Sequence, residues 1–185
     1  VTGVQTCALP IFVKKEVWKE LHKYNFDMML CHARGASKGV GEPNYNINNH
    51  PFISHDGSIG LIHNGRVDDC EYVALKQKYA VKSNCDSEIL LRIIENSEIE
   101  NDSFDVPADI ISGIKNVYSL INEGHMAIAV GKRCNNGDRY LALFRNCHRP
   151  LWLIDTRESL GQILFVSEPS IWEETIKDRK STRLN

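Results

Sequence analysis

Apolar positions along the chain recur with two different periods. Phe12, Val13, Val17 and Leu21 return at helical spacing among Lys and Glu, which predicts an amphipathic helix over 13–24. Asp27 to His32 is a short apolar run and reads as a strand. The stretch 35–51 carries Gly35, Gly39, Gly41, Pro43 and several Asn, so it reads as a long loop, and long ordered loops inside compact domains are usually functional. Ser58 to His63 reads as a second strand, closed by Asn64-Gly65, whose tolerance of positive φ makes the pair a hairpin-turn signal. Asp68 and Asp69 can cap a helix running to about Ala80. A further helix from Asp86 to about Asn96 has Ile89, Leu90, Ile93 and Ile94 as its buried stripe, and Ala108 to Ile121 is helical.

Beyond Ile121 the pattern changes. His125 to Gly131, Arg139 to Asn146, Leu151 to Ile154 and Ile163 to Ser167 are short apolar runs separated by turn residues, which predicts consecutive strands. Ser170 and Glu173 stand at capping-box spacing for a final helix. Strands, then helices, then a run of strands make an α+β arrangement with segregated helices, not strict βα alternation.

Composition narrows the class. The 185 residues suit one domain, and 42% apolar with 25% charged residues is ordinary for a globular protein. A formal net charge of −2 gives no reason to expect nucleic acid or an anionic membrane as a partner. No apolar run approaches the roughly 20 residues that span a bilayer. The six cysteines form no CxxC pair, which argues against zinc and against a secreted disulfide framework; the plain reading is reduced thiols in a cytoplasmic protein. The opening VTGVQTCALPIF and the closing DRKSTRLN fit poorly with what lies between them and resemble translated sequencing-adapter read-through. The domain is therefore expected over 13–177, with 1–12 and 178–185 as non-native ends.

Four clusters could carry chemistry: Cys31-His32-Ala33-Arg34-Gly35-Ala36-Ser37, Asn48-Asn49-His50-Pro51-Phe52, His63-Asn64-Gly65 and Asp86-Ser87-Glu88. Taken singly, each has a plain alternative. Arg34 could form a surface ion pair, Asn64-Gly65 a turn, Asp86 an N-cap, and His50 could pack in a loop. The glycines of 35–41 fit neither the Walker nor the dinucleotide spacing, so phosphate binding is not expected.

In this order the clusters resemble the class II glutamine amidotransferases, which include the glutaminase domains of glucosamine-phosphate synthase, amidophosphoribosyltransferase and asparagine synthetase. HARGAS is similar to that family's His-x-Arg-x-Ala-Thr/Ser segment, NNHPF to Asn-x-His-Pro, LIHNGRV to His-Asn-Gly, and CDSE to Ser-Asp-Thr/Ser-Glu. RNCHRPLWL and LFVSE resemble two further strands, so the likeness runs over roughly 27–168. It implies a four-layer αββα sandwich of the N-terminal-nucleophile hydrolase type, truncated here at its N-terminus. No cofactor or metal is implied. The partners implied are L-glutamine and an ammonia-accepting synthase domain or subunit.

The resemblance also implies roles. Arg34 would hold the α-carboxylate of glutamine, since a guanidinium matches a carboxylate with two hydrogen bonds. Asp86 would accept from the α-ammonium, and Ser37 would add a hydrogen bond. Asn64 by its side-chain amide and Gly65 by its backbone N–H would form the oxyanion hole, aimed by the expected tight turn. Losing one such donor typically costs on the order of 100–1000-fold in rate. His50 and His63 would support the pocket. The family's nucleophile is a cysteine at the mature N-terminus, attacking the amide as thiolate and releasing ammonia, then glutamate. Cys7 lies in the foreign segment and is not assigned that role. Cys31 and the adjacent His32 point to opposite strand faces and make a poor nucleophile–base pair, so Cys31 is expected to be a small buried side chain. The chain alone is thus expected to bind glutamine at most, and its parent to hydrolyse it. Two alternatives remain: an N-terminal-nucleophile hydrolase of another amide, and a non-catalytic binding or regulatory module on the same fold.

Overall fold

A computed structural model describes residues 27–32, 46–97 and 108–174. The expected helix over 13–24 lies outside them, as do Arg34, Ser37 and the first part of the 35–51 loop. Strands β1 (Phe52–Ile53), β2 (Ile59–Val67), β3 (Gly124–Arg133) and β4 (Arg139–Arg145) form one antiparallel sheet in the order β1-β2-β3-β4. Helices α1 (Asp69–Lys78), α2 (Ser87–Glu95) and α3 (Ala108–Leu120) fall between β2 and β3. Strands β5 (Trp152–Thr156) and β6 (Gln162–Val166), joined through the short α4 (Arg157–Leu160), pair antiparallel as a separate two-stranded sheet. The arrangement is mixed, with antiparallel sheets and helices grouped in sequence, which is compatible with α+β.

The core lies between one face of the larger sheet and the helices. Residues paired across an antiparallel ladder share a face. Leu61, Val130 and Ile128 therefore point together at α2, where Ile89, Leu90, Ile93 and Ile94 are all buried. The predicted stripe is right but too narrow, because Leu91 and Arg92 are buried as well. Helix α1 begins as expected: the Asp68 side chain accepts from Cys70 N.

The opposite sheet face explains the first departure. Asp27–His32 does not form a strand. Instead its side chains lie on Gly60 and Gly131: a Cβ added to Gly60 would meet Leu30 Cδ1 at 3.5 Å, and one added to Gly131 would lie 2.6 Å from Met28 Sδ. The run covers the sheet face without joining its edge. The second departure is at Asn64-Gly65, which makes no turn. β2 passes straight through, with Asn64 opposite Ala127 and Gly65 opposite Met126, because β3 offers a pairing partner over the whole length of Ile59–Val67. Within the loop, Asn46–Asn48 form a 3₁₀ turn. The final helical segment begins at 169, so Ser170 stands inside it and not at its cap.

Among the described residues no helix is long and apolar enough to cross a membrane. Cys31, Cys70, Cys134 and Cys147 are free thiols, and among the described residues no group of three or more His, Cys, Asp or Glu could hold a metal ion.

Candidate functional site

The site is built where the second half of β2 meets the start of α2. His63 points from β2 at the helix and is buried. Its Nδ1 lies 2.9 Å from Ser87 Oγ, and its Nε2 lies 3.1 Å from the His125 carbonyl oxygen. A carbonyl only accepts, so Nε2 carries the proton and Nδ1 accepts from the Ser87 hydroxyl. Burial pushes the imidazole below its ordinary pKa. Asp86 and the His125 carbonyl pull upward and Arg149 pushes further down, and the net shift is downward. His63 is therefore a neutral strut between β2, β3 and α2 at neutral pH.

Gly65 is fixed by steric exclusion. A Cβ there would sit 1.6 Å from the His125 carbonyl oxygen and 2.5 Å from His63 Nε2, so β3 and the imidazole close on a bare Cα. The pairing also sets where its backbone points. Opposite it, Met126 donates its N–H to Asn146 Oδ1 at 3.0 Å and accepts Asn146 N–H at 2.9 Å, so both Met126 groups face β4. In an antiparallel ladder the partner of such a residue likewise turns its N–H and C=O away. The Gly65 N–H thus faces the other edge of β2, where β1 pairs only at Gly60 and Leu61.

Val67, roughly 7 Å further along the strand, faces the same edge. Its N–H is taken at 2.8 Å by Asp86 Oδ2. This bond brings the Asp86 carboxylate to the edge that the Gly65 N–H faces. Asp86 stands at the N-cap position of α2 but makes no capping hydrogen bond, and it is 8% exposed. Among the described residues its Oδ1 has only long contacts, 3.4 Å from Ser87 Oγ and 3.7 Å from Cys85 Sγ, which leaves acceptor capacity on that oxygen. His63, Gly65 and Asp86 are thereby brought together. Asn64 is half-buried, and its side chain is on the sheet face opposite to that of His63.

His50 belongs to a different group. It precedes a cis peptide to Pro51, its ring centroid lies 4.1 Å from that of His32, and it meets Phe52 edge-on at 4.9 Å. Cys31 is exposed, contrary to the buried position expected of it. Its thiol is still sheltered enough for desolvation to raise its pKa, which is the wrong direction for a ready thiolate. A cleft of about 360 Å³ opens at the start of β3, lined by Glu123, His125, Asn146 and His148 among others, but by none of the predicted site residues.

Behind the site, Glu88 was singled out within its cluster but given no role from sequence, and Arg92, Glu95 and His55 were not singled out. Glu88, 2% exposed, accepts from Lys82 N at 3.0 Å and Ser83 N at 2.6 Å and pairs with Arg92 Nη2 at 3.0 Å. Arg92 also engages Glu95, His55 Nδ1 at 3.0 Å and the Ile53 carbonyl. Burial alone would raise the Glu88 carboxyl, but the bonds from Ser83, Lys82 and Arg92 outweigh it and hold it below the usual carboxylate range. Glu95 is treated alike: burial raises it, while His55 and Arg92 lower it further than that. The spacing of Glu88 and Arg92, four residues apart on a helix, was a usable signal.

Over part of its length the chain is similar to known proteins. It is 36% identical over 77 residues to the glutamine–fructose-6-phosphate aminotransferase (isomerizing) of Bacteroides thetaiotaomicron, covering 39% of this chain and 12% of that protein. Against the protein of the same name in Bacillus subtilis it is 33% identical over 111 residues, 56% of this chain and 18% of the relative. In Chlorobaculum tepidum the figures are 38% over 71 residues, 36% and 11%. The chain spans less than a fifth of the length of these relatives, as the shares of 12%, 18% and 11% state. No protein-family model matches it.

Proposed function

We propose that this chain is the glutamine-reading part of a class II glutamine amidotransferase domain, a module that hydrolyses glutamine and donates the ammonia. The observation that carries the reading is the shared edge of β2: Val67 gives its N–H to Asp86, and the Gly65 N–H faces the same way. A free amino acid has an ammonium that needs an acceptor and an amide carbonyl that needs donors during attack. Asp86 Oδ1 supplies the first, and Gly65 N–H with the Asn64 amide supplies the second. His63 and His50 hold the surrounding elements and move no proton. Arg34 takes the α-carboxylate and Ser37 a hydrogen bond beside it. The attacking thiolate comes from an N-terminal cysteine outside 27–174, and the protein works in the cytoplasm beside an ammonia-accepting synthase domain or subunit. The partial likeness to enzymes whose name begins with glutamine supports the substrate. The fold expected with this function is the four-layer αββα sandwich.

Arg34→Ala in the intact protein tests the substrate-reading half. The KM for L-glutamine is expected to rise on the order of 10- to 100-fold, the loss of a two-bond charged contact. An unchanged KM removes Arg34 from the site.

A further inference from the structure

The turn that carries Asp86 is built in an unusual way. Its four successive backbone N–H groups are all taken by side-chain oxygens. Lys82 N and Ser83 N donate to Glu88 Oε2 at 3.0 and 2.6 Å. Asn84 N donates to Asn48 Oδ1 at 2.9 Å, and Cys85 N to Ser83 Oγ at 3.2 Å. Ser83 and Cys85 are buried, so their N–H groups must find partners. Lys82 and Asn84 are exposed residues whose N–H bonds are half-buried, and the oxygens that meet them help to set the path of the chain. Three of the four come from within the same segment, from Ser83 and Glu88. The fourth comes from Asn48, which is 3% exposed and lies 36 residues earlier, two positions before His50. Through it the Asn48-to-Phe52 cluster grips the segment leading into Asp86.

We infer that Asn48 is a positioning residue for Asp86: by holding Asn84 N–H it sets the place of the Asp86 carboxylate, and so the strength with which the site reads an α-ammonium. The inference rests on the glutamine reading of the same site. Its chemistry is specific. Val67 N–H anchors one Asp86 oxygen from the β2 side, and Asn48 anchors the main chain two residues before it. Without Asn48 the turn keeps its Glu88 bonds and α2 keeps its core face, so the fold survives while the free Asp86 oxygen shifts relative to the Gly65 N–H. Charge-assisted hydrogen bonds are lost steeply with misalignment.

The experiment compares two ligands on the intact protein, L-glutamine and glutaramic acid, which has the same amide and carboxylate but no α-ammonium. The measured quantity is the ratio of their affinities for wild type, Asn48→Ala, Asn48→Asp and Asp86→Asn. Asn48→Ala is expected to cut the preference for L-glutamine on the order of tenfold, leave the affinity for glutaramic acid unchanged, and add nothing in an Asp86→Asn background. Asn48→Asp keeps an acceptor for Asn84 N–H and should retain the preference. Should the alanine variant not fold, Asn48→Ser shortens the reach while keeping a polar atom and carries the same expectation. A merely structural role would weaken both ligands alike and overturn the inference. If Asp86→Asn abolishes the preference while Asn48→Ala leaves it intact, the inference fails and the glutamine reading stands. If Asp86→Asn itself leaves the preference intact, the glutamine reading fails with it.

Discussion

Gly65→Ala is expected to unfold or nearly unfold the protein, with a loss on the order of 3 kcal/mol or more in urea unfolding. The methyl group would be placed 1.6 Å from the His125 carbonyl oxygen and 2.5 Å from His63 Nε2. Neither is the loose end of a flexible side chain. The carbonyl belongs to β3, and the imidazole is held at both nitrogens by Ser87 and His125. Relief requires β2 and β3 to separate at their paired register, which would also pull Val67 from Asp86. Gly60→Ala in the same strand is the control. Its Cβ would make ordinary 3.5 Å contacts with Ile53 and Leu30, and the unfolding midpoint should move little. Equal effects at both positions would contradict the close approach described at Gly65.

Arg92→Ala should be nearly as severe, costing about 3–5 kcal/mol, because it leaves a buried carboxylate without its cation. Glu88 is almost wholly enclosed and receives Arg92 at 3.0 Å. The pH dependence separates this cause from lost packing. Glu88 and Glu95 both have depressed pKa values in the folded protein. The stability they contribute is therefore present above the unfolded glutamate value of about 4.3 and is lost as pH falls through the lower folded values. In Arg92→Ala the Glu88 carboxyl loses a group that favours its charged form, so its folded pKa rises and it protonates at higher pH. The gap between wild type and variant should then narrow as the medium is acidified toward the glutamate range. A gap independent of pH would mean that Arg92 matters by its volume alone.

What could be read from the sequence follows from the range of the interactions concerned. The stripe Ile89, Leu90, Ile93, Ile94 is a local period, and it lies buried on α2 where the pattern put it. The runs after His125 likewise became β3 to β6 in order. Asn64-Gly65 misled because its turn signal is local while its fate is not. β3, arriving some sixty residues later, pairs through it, and the glycine serves close approach of a carbonyl instead of a bend. Asp27–His32 has a strand's composition, yet Met28 and Leu30 found bare glycines on a sheet face to cover. The candidate site divides the same way. His63, Asn64, Gly65 and Asp86 stood out as residues, but the bond from Val67 to Asp86 has no sequence signature, and neither have the grips of Asn48 on Asn84 and of Arg92 on His55.

In the function proposed, Asp86 reads the ammonium of glutamine at a site that hydrolyses it. The most direct test is steady-state glutamate release from L-glutamine by the intact protein, wild type against Asp86→Asn. Asparagine retains an acceptor for Val67 N–H, while it removes the charge and turns the other oxygen, the one offered to the ammonium, into an NH2 donor. The prediction is glutamate release by wild type and, in the variant, a KM raised at least about tenfold with an unfolding midpoint close to wild type. No glutamate release by wild type, or an Asp86→Asn variant with the wild-type KM, would contradict it.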